Sequence, residues 1–179
     1  MQEYVPYIII GAVAAALIAG TVMMARLAWR RQVGRYIITL TSHREAIASA
    51  LKTAESAIAS LAQGEAAALL EFTLPESEER QTFREIAERM GIEHSELKDI
   101  ALPKALWPFA DMLCDAAGLL AEQTVAVGEA EGEAVLDALL ALDLGPARSR
   151  LGDAAVEAER VSGVYRVTDP SVYGGGLYI

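Results

Sequence analysis

An all-α fold, with one N-terminal transmembrane helix followed by a cytoplasmic bundle of about four to five helices, is what three features of this sequence predict. The chain carries 33 alanines and 21 leucines among 179 residues, and both are strong helix formers. Apolar residues recur at steps of three and four, with prolines and glycines marking the ends of the periods. The third feature is an uncharged run of 22 residues, Tyr4 to Ala25, between Glu3 and Arg26. At 1.5 Å per residue a helix of that length covers about 33 Å, enough for a hydrocarbon core of about 30 Å.

The expected organisation is a short extracytoplasmic N-terminus at 1–3, the membrane helix at 4–25 and a basic juxtamembrane collar at 26–44. An acidic bundle at 45–161 and a flexible tail at 162–179 follow. A cleaved secretory signal opens on a basic stretch and has a shorter apolar core, whereas this chain opens on Met-Gln-Glu, so a retained anchor is expected. Arg26, Arg30, Arg31, Arg35 and Arg44 follow the run and no cation precedes it. The positive-inside rule therefore puts the N-terminus outside the cell membrane and the remainder in the cytoplasm. Trp29, with Arg26, Arg30, Arg31 and Arg35, is then placed at the headgroup layer, and membrane lipids become expected partners.

Within the run, Gly11, Ala15 and Ala19 form one line and Ala12, Ala16 and Gly20 its neighbour. Such a ribbon of small side chains permits two helices to approach closely, and homodimerisation through it is the corresponding expectation. Alanine and glycine are also ordinary filler in an apolar helix.

Charge divides the chain. The sequence has 25 acids and 15 bases, a formal net charge of −10, but the collar is positive and nearly all the acids lie beyond it. Ser42 and Glu45 have capping-box spacing ahead of Ile47, Leu51, Ala54, Ile58 and Leu61, a three-and-four pattern too short for an extended coiled coil; the alternative is a helix continuous with the membrane helix through Tyr36 to Leu40. The next helix is read from a Thr73–Glu76 cap with Pro75 in the first turn, through Phe83, Ile86, Ala87 and Met90, to a stop at Gly91.

The stretch 83–102 has the apolar and glycine spacing of a DNA-binding helix-turn-helix, with Leu97 and Ile100 on the second helix. A tethered DNA-binding regulator is the alternative function this suggests. Residues 76–102 hold eight acids against four bases, however, and such a surface repels phosphate, so nucleic acid is disfavoured as a partner.

Pro108 opens a long helix with Phe109, Met112, Leu113, Ala116, Leu120 and Val127 on one face. A break follows at Gly128 and Gly132, and then a helix with Val135, Leu136, Leu139 and Leu140. Gly145-Pro146 opens a last helix, to about Val161, whose alanine-rich sequence suggests a peripheral position. The tail carries Gly174 to Gly176 and ends on an apolar carboxyl terminus. Tyr173, Leu177, Tyr178 and Ile179 are candidate contacts for an unidentified cytoplasmic protein partner.

No catalytic, cofactor or metal constellation is apparent. His43, His94 and Cys114 share no helical spacing, neither histidine has the Glu-x-x-His context of a helical di-iron site, and the triple glycine lacks the Lys and helix of a phosphate loop. The functional expectation is a non-enzymatic membrane-anchored scaffold or adaptor.

Overall fold

The computed structural model describes residues 5–167 apart from 65 and 133; the side chains of residues 5–12, 14, 66 and 67 lie outside that description. The described residues are all-helical: α1 (Val5–Gln63), α2 (Ala66–Phe72), α3 (Glu78–Asp99), α4 (Trp107–Glu129), α5 (Ala134–Ala141) and α6 (Gly145–Tyr165), with a 3-10 turn at Lys104–Leu106.

Local chemistry explains most boundaries. Beyond Pro6, α1 contains no proline, and the Thr39, Thr41 and Thr53 hydroxyls donate to the carbonyls of Arg35, Ile37 and Ser49. These are bonds to the preceding turn of a continuing helix, so α1 passes through Ser42–Glu45 without a cap. Ser77 caps α3, its hydroxyl accepting from the Arg80 amide, with Glu78 and Glu79 in the first turn. Pro108 and Pro146 lie in the first turns of α4 and α6, where a missing N–H costs nothing. Arg166, at φ 56°, closes α6 by donating its amide to the carbonyls of Gly163 and Ser162.

Four helices form the bundle, in the cyclic order α1, α3, α4, α6, with α1 and α4 touching across the middle. Point contacts fix their directions. His43 meets Glu93 late in α3, while Ser56 and Ser60 face Glu78 and Glu79 at its start, so α1 and α3 are antiparallel. Arg84 bonds Gly128 and His94 bonds Cys114, which makes α3 and α4 antiparallel. Arg148 pairs with Glu55, and Val167 lies over Gly34, which sets α6 against α1. Val33, Ile37, Leu40 and Ile47 of α1 meet Phe83, Met90, Phe109, Leu113 and Leu120 in the core. Phe72 of α2 stacks edge-on against Phe83.

A buried arginine ties the far ends of α3 and α4. Arg80, 1% exposed, donates to the carbonyls of Thr73, Gly128 and Ala130. The last turn of α4 has no basic residue of its own, and Arg80 supplies the cation that the negative helix end favours. A Cβ on Gly128 would lie 2.9 Å from Arg84 Cγ, so glycine is required where the two arginines cross.

Several expectations change. Among the described residues no helix is long and apolar enough to cross a membrane. The transmembrane segment 4–25, the single-pass orientation and the cell-membrane location are therefore not supported. The helical bundle is supported.

Nor is the helix-turn-helix spacing realised. From Glu78 to Asp99, α3 is one helix, and exposed Gly91 lies inside it. Finally, α6 is not peripheral. Ala147, Ala154, Ala158 and Val161 are buried against α4 and α1, while Val156 points outward.

Candidate functional site

Three groups of side chains merit description by their chemistry. The first joins α1 to α3. His43 Nδ1 lies 2.6 Å from Glu93 Oε2, and each side chain is 15% exposed. Glu96 stands one helical turn beyond Glu93 on the same face of α3. One nitrogen of His43 and one oxygen of each glutamate lie within 4.8 Å of one another. Fifty positions of sequence separate His43 from Glu93, and only the antiparallel packing of α1 on α3 brings them together.

The second group joins α3 to α4. His94 Nδ1 is 2.9 Å from the Cys114 carbonyl oxygen and 3.3 Å from its Sγ. The imidazole reaches that carbonyl because Gly118 has no side chain; a Cβ there would stand 3.1 Å from the ring. Burial pushes the Cys114 thiol pKa up, Lys98 opposes this, and Asp115 and Asp111 add to the rise. The sulfur is therefore held as a neutral thiol, poor both as a nucleophile and as a ligand. The pair packs two helices closely and lacks the activated thiolate that cysteine chemistry needs.

The third group is a surface. Every described side chain from Val13 to Gln32 is exposed, including Leu17, Ile18, Val22, Met23, Met24 and Leu27. Where this arm meets the end of α6, Arg30, Arg31, Arg35 and Arg166 surround a cleft of about 570 Å³ floored by Gly34 and Val167. None of these four arginines pairs with an acid among the described residues.

Each sequence-derived site residue can now be placed. Ala15, Ala16, Ala19 and Gly20 are exposed along the arm, and Gly11 and Ala12 lie outside the described side chains. Arg26, Trp29, Arg30, Arg31 and Arg35 are exposed at its base, the last three of the arginines gathered around the cleft. Tyr173, Leu177, Tyr178 and Ile179 lie outside the described residues. The His43–Glu93–Glu96 group had no local signal beyond the turn spacing of its two glutamates, since the histidine arrives from another helix.

No family model, curated protein or solved structure matches this chain.

Proposed function

We propose that this protein is a non-enzymatic scaffold or adaptor: an acidic four-helix body that offers the first half of α1 to a protein partner. The observation that carries the reading is the contrast along that helix. From Val33 onward α1 buries Val33, Ile37, Leu40, Ile47, Leu51 and Leu61 in the bundle and leaves Ile38 outside it, while Leu17, Ile18, Met23 and Met24 are each more than 60% exposed. A contiguous apolar surface of that kind marks an interaction site. The arginine cleft at its base favours acidic side chains on the partner, because bidentate arginine–carboxylate pairing is strong where water is partly excluded.

A second copy of the chain is one occupant with suitable chemistry, since Ala15 with Ala19 and Ala16 with Gly20 permit close helix approach and the body is acidic. The carboxyl-terminal peptide ending in Leu177-Tyr178-Ile179 is a further contact under this reading.

Photo-crosslinkers placed singly at positions 15 to 24 in the full chain test it. Adducts confined to one helical face, and weakened by Arg31→Glu with Arg35→Glu, support the adaptor reading. A product of twice the chain mass identifies the second copy. Adducts that show no helical periodicity, or none at all, overturn it. Removal of residues 168–179 measures the tail's share of the same adducts.

A further inference from the structure

We infer that His43, Glu93 and Glu96 form a binding site for one divalent transition-metal ion, Zn²⁺ by the chemistry of its donors, which staples α1 to α3. One imidazole nitrogen and two carboxylate oxygens make a three-ligand set of the kind that holds zinc with a fourth position left to water. Magnesium and calcium prefer all-oxygen shells with more ligands, whereas imidazole selects zinc and its first-row neighbours. The site is independent of the adaptor reading, as it uses no residue of the exposed arm.

The geometry needs side-chain rotation alone. With metal–ligand bonds of about 2.0–2.2 Å, donors around a tetrahedral ion stand roughly 3.3–3.6 Å apart. The three donor atoms already lie within 4.8 Å, so Glu96 swings inward and the 2.6 Å contact of His43 with Glu93 opens by less than about 1 Å. Both backbones are held by uninterrupted helices, α1 through residue 43 and α3 through residues 93 and 96, so the Cα–Cβ directions are set before the ion arrives and only the side chains turn. His43 and Glu93 are largely buried and Glu96 is exposed, which leaves the open coordination position and the entry path on the solvent side. On binding, His43 coordinates through the Nδ1 lone pair with its ring proton on Nε2, any proton displaced from Nδ1 passing to solvent, and the contact with Glu93 Oε2 is replaced by two metal–ligand bonds.

The other histidine forms no rival site of equal quality. His94 is engaged with the Cys114 carbonyl, and the thiol beside it is held neutral by burial.

The test is titration of the untagged full chain with Co²⁺, read by its visible absorption, and with Zn²⁺ in competition. One equivalent per chain is expected. His43→Ala, Glu93→Gln and Glu96→Gln should each weaken binding by about tenfold or more. Glu96→Gln keeps the fold intact, since Glu96 is exposed and takes no part in the His43–Glu93 bond; a paired His94→Ala, Cys114→Ser variant should bind as the wild type does. At Zn²⁺ near 100 times its dissociation constant, the wild-type melting temperature should rise by roughly 5–10 °C, and that of Glu96→Gln at the same concentration by much less. Wild-type affinity no greater than that of His43→Ala and Glu96→Gln, or binding lost only in the His94/Cys114 variant, overturns the site.

Discussion

The two halves of α1 are one continuous helix with two different fates. Upstream of Val33 every described side chain is exposed; downstream, Val33, Ile37, Leu40, Ile47, Ala54 and Leu61 are buried at helical spacing. Each half carries seven alanines, so intrinsic propensity favours the helix in both. What differs is whether α3, α4 and α6 lie alongside. Helical structure therefore says nothing here about stability: the downstream half is held by the core, and the upstream half is available to something outside the chain.

The largest expected effect tests that division directly. Phe109→Ala removes a fully buried ring from the centre of the bundle and should lower unfolding stability by about 3–5 kcal/mol. Leu17→Ala, on the arm and 66% exposed, should change it by no more than about 0.5 kcal/mol. Denaturant unfolding of the two variants reads both values. A substantial loss for Leu17→Ala would mean that the arm is packed in solution against a second copy or another part of the chain, and the contrast between halves would fail.

Next in size is Arg80→Met. The methionine fills much of the volume but leaves the Thr73 and Ala130 carbonyls without the guanidinium, and the Gly128 carbonyl with Arg84 alone. A loss of about 2–4 kcal/mol is expected, with the α3–α4 end fraying first in hydrogen exchange. An unchanged midpoint would show that this end of the bundle contributes as little as the arm.

Much of the bundle was legible because its stops are chemical. Pro108 and Pro146 cannot sit deep inside a helix, so they mark the starts of α4 and α6, and the face Phe109, Leu113, Ala116, Leu120 and Val127 is the buried one. Softer signals failed. Ser42 with Glu45 and Gly91 are compatible with a boundary but do not impose one, and helix-forming neighbours carried α1 and α3 through them. The depth of α6 was hidden because alanine buries little area and reads as neutral, yet it permits the close approach that Ala154 and Ala158 make. Charge-free length was likewise read as a membrane span where the described structure has no helix that meets that requirement. The His43–Glu93–Glu96 group depends on a helix pairing 50 positions apart, which no local window contains.

Gly91 provides a test with a definite sign. It is exposed inside α3, with no atom within 4 Å of an added Cβ. Gly91→Ala should stabilise the bundle by roughly 0.5–1 kcal/mol, the ordinary difference between the two residues in a helix interior. Were residue 91 in the left-handed turn that a helix-turn-helix uses, the same change would destabilise. A lowered melting temperature would therefore restore the two-helix reading of 83–102.

The smallest effect separates surface electrostatics from packing. Glu157 and Arg160 pair on α6, with guanidinium-to-carboxylate contacts of 2.6 and 2.7 Å. The Arg160 hydrogen bond holds the Glu157 carboxyl below its ordinary pKa, against the opposing effect of burial. A carboxyl depressed in the folded state adds stability that is fully present above the unfolded-state value and fades as pH falls through the folded one. Glu157→Gln should thus lower the melting temperature by less than about 2 °C at neutral pH. The difference from wild type should shrink as the solution is acidified below the usual carboxylate range, and salt should shrink it too. A difference that persists in acid would assign the contribution of Glu157 to its buried aliphatic stem, and so to the same packing that distinguishes the bundle from the arm.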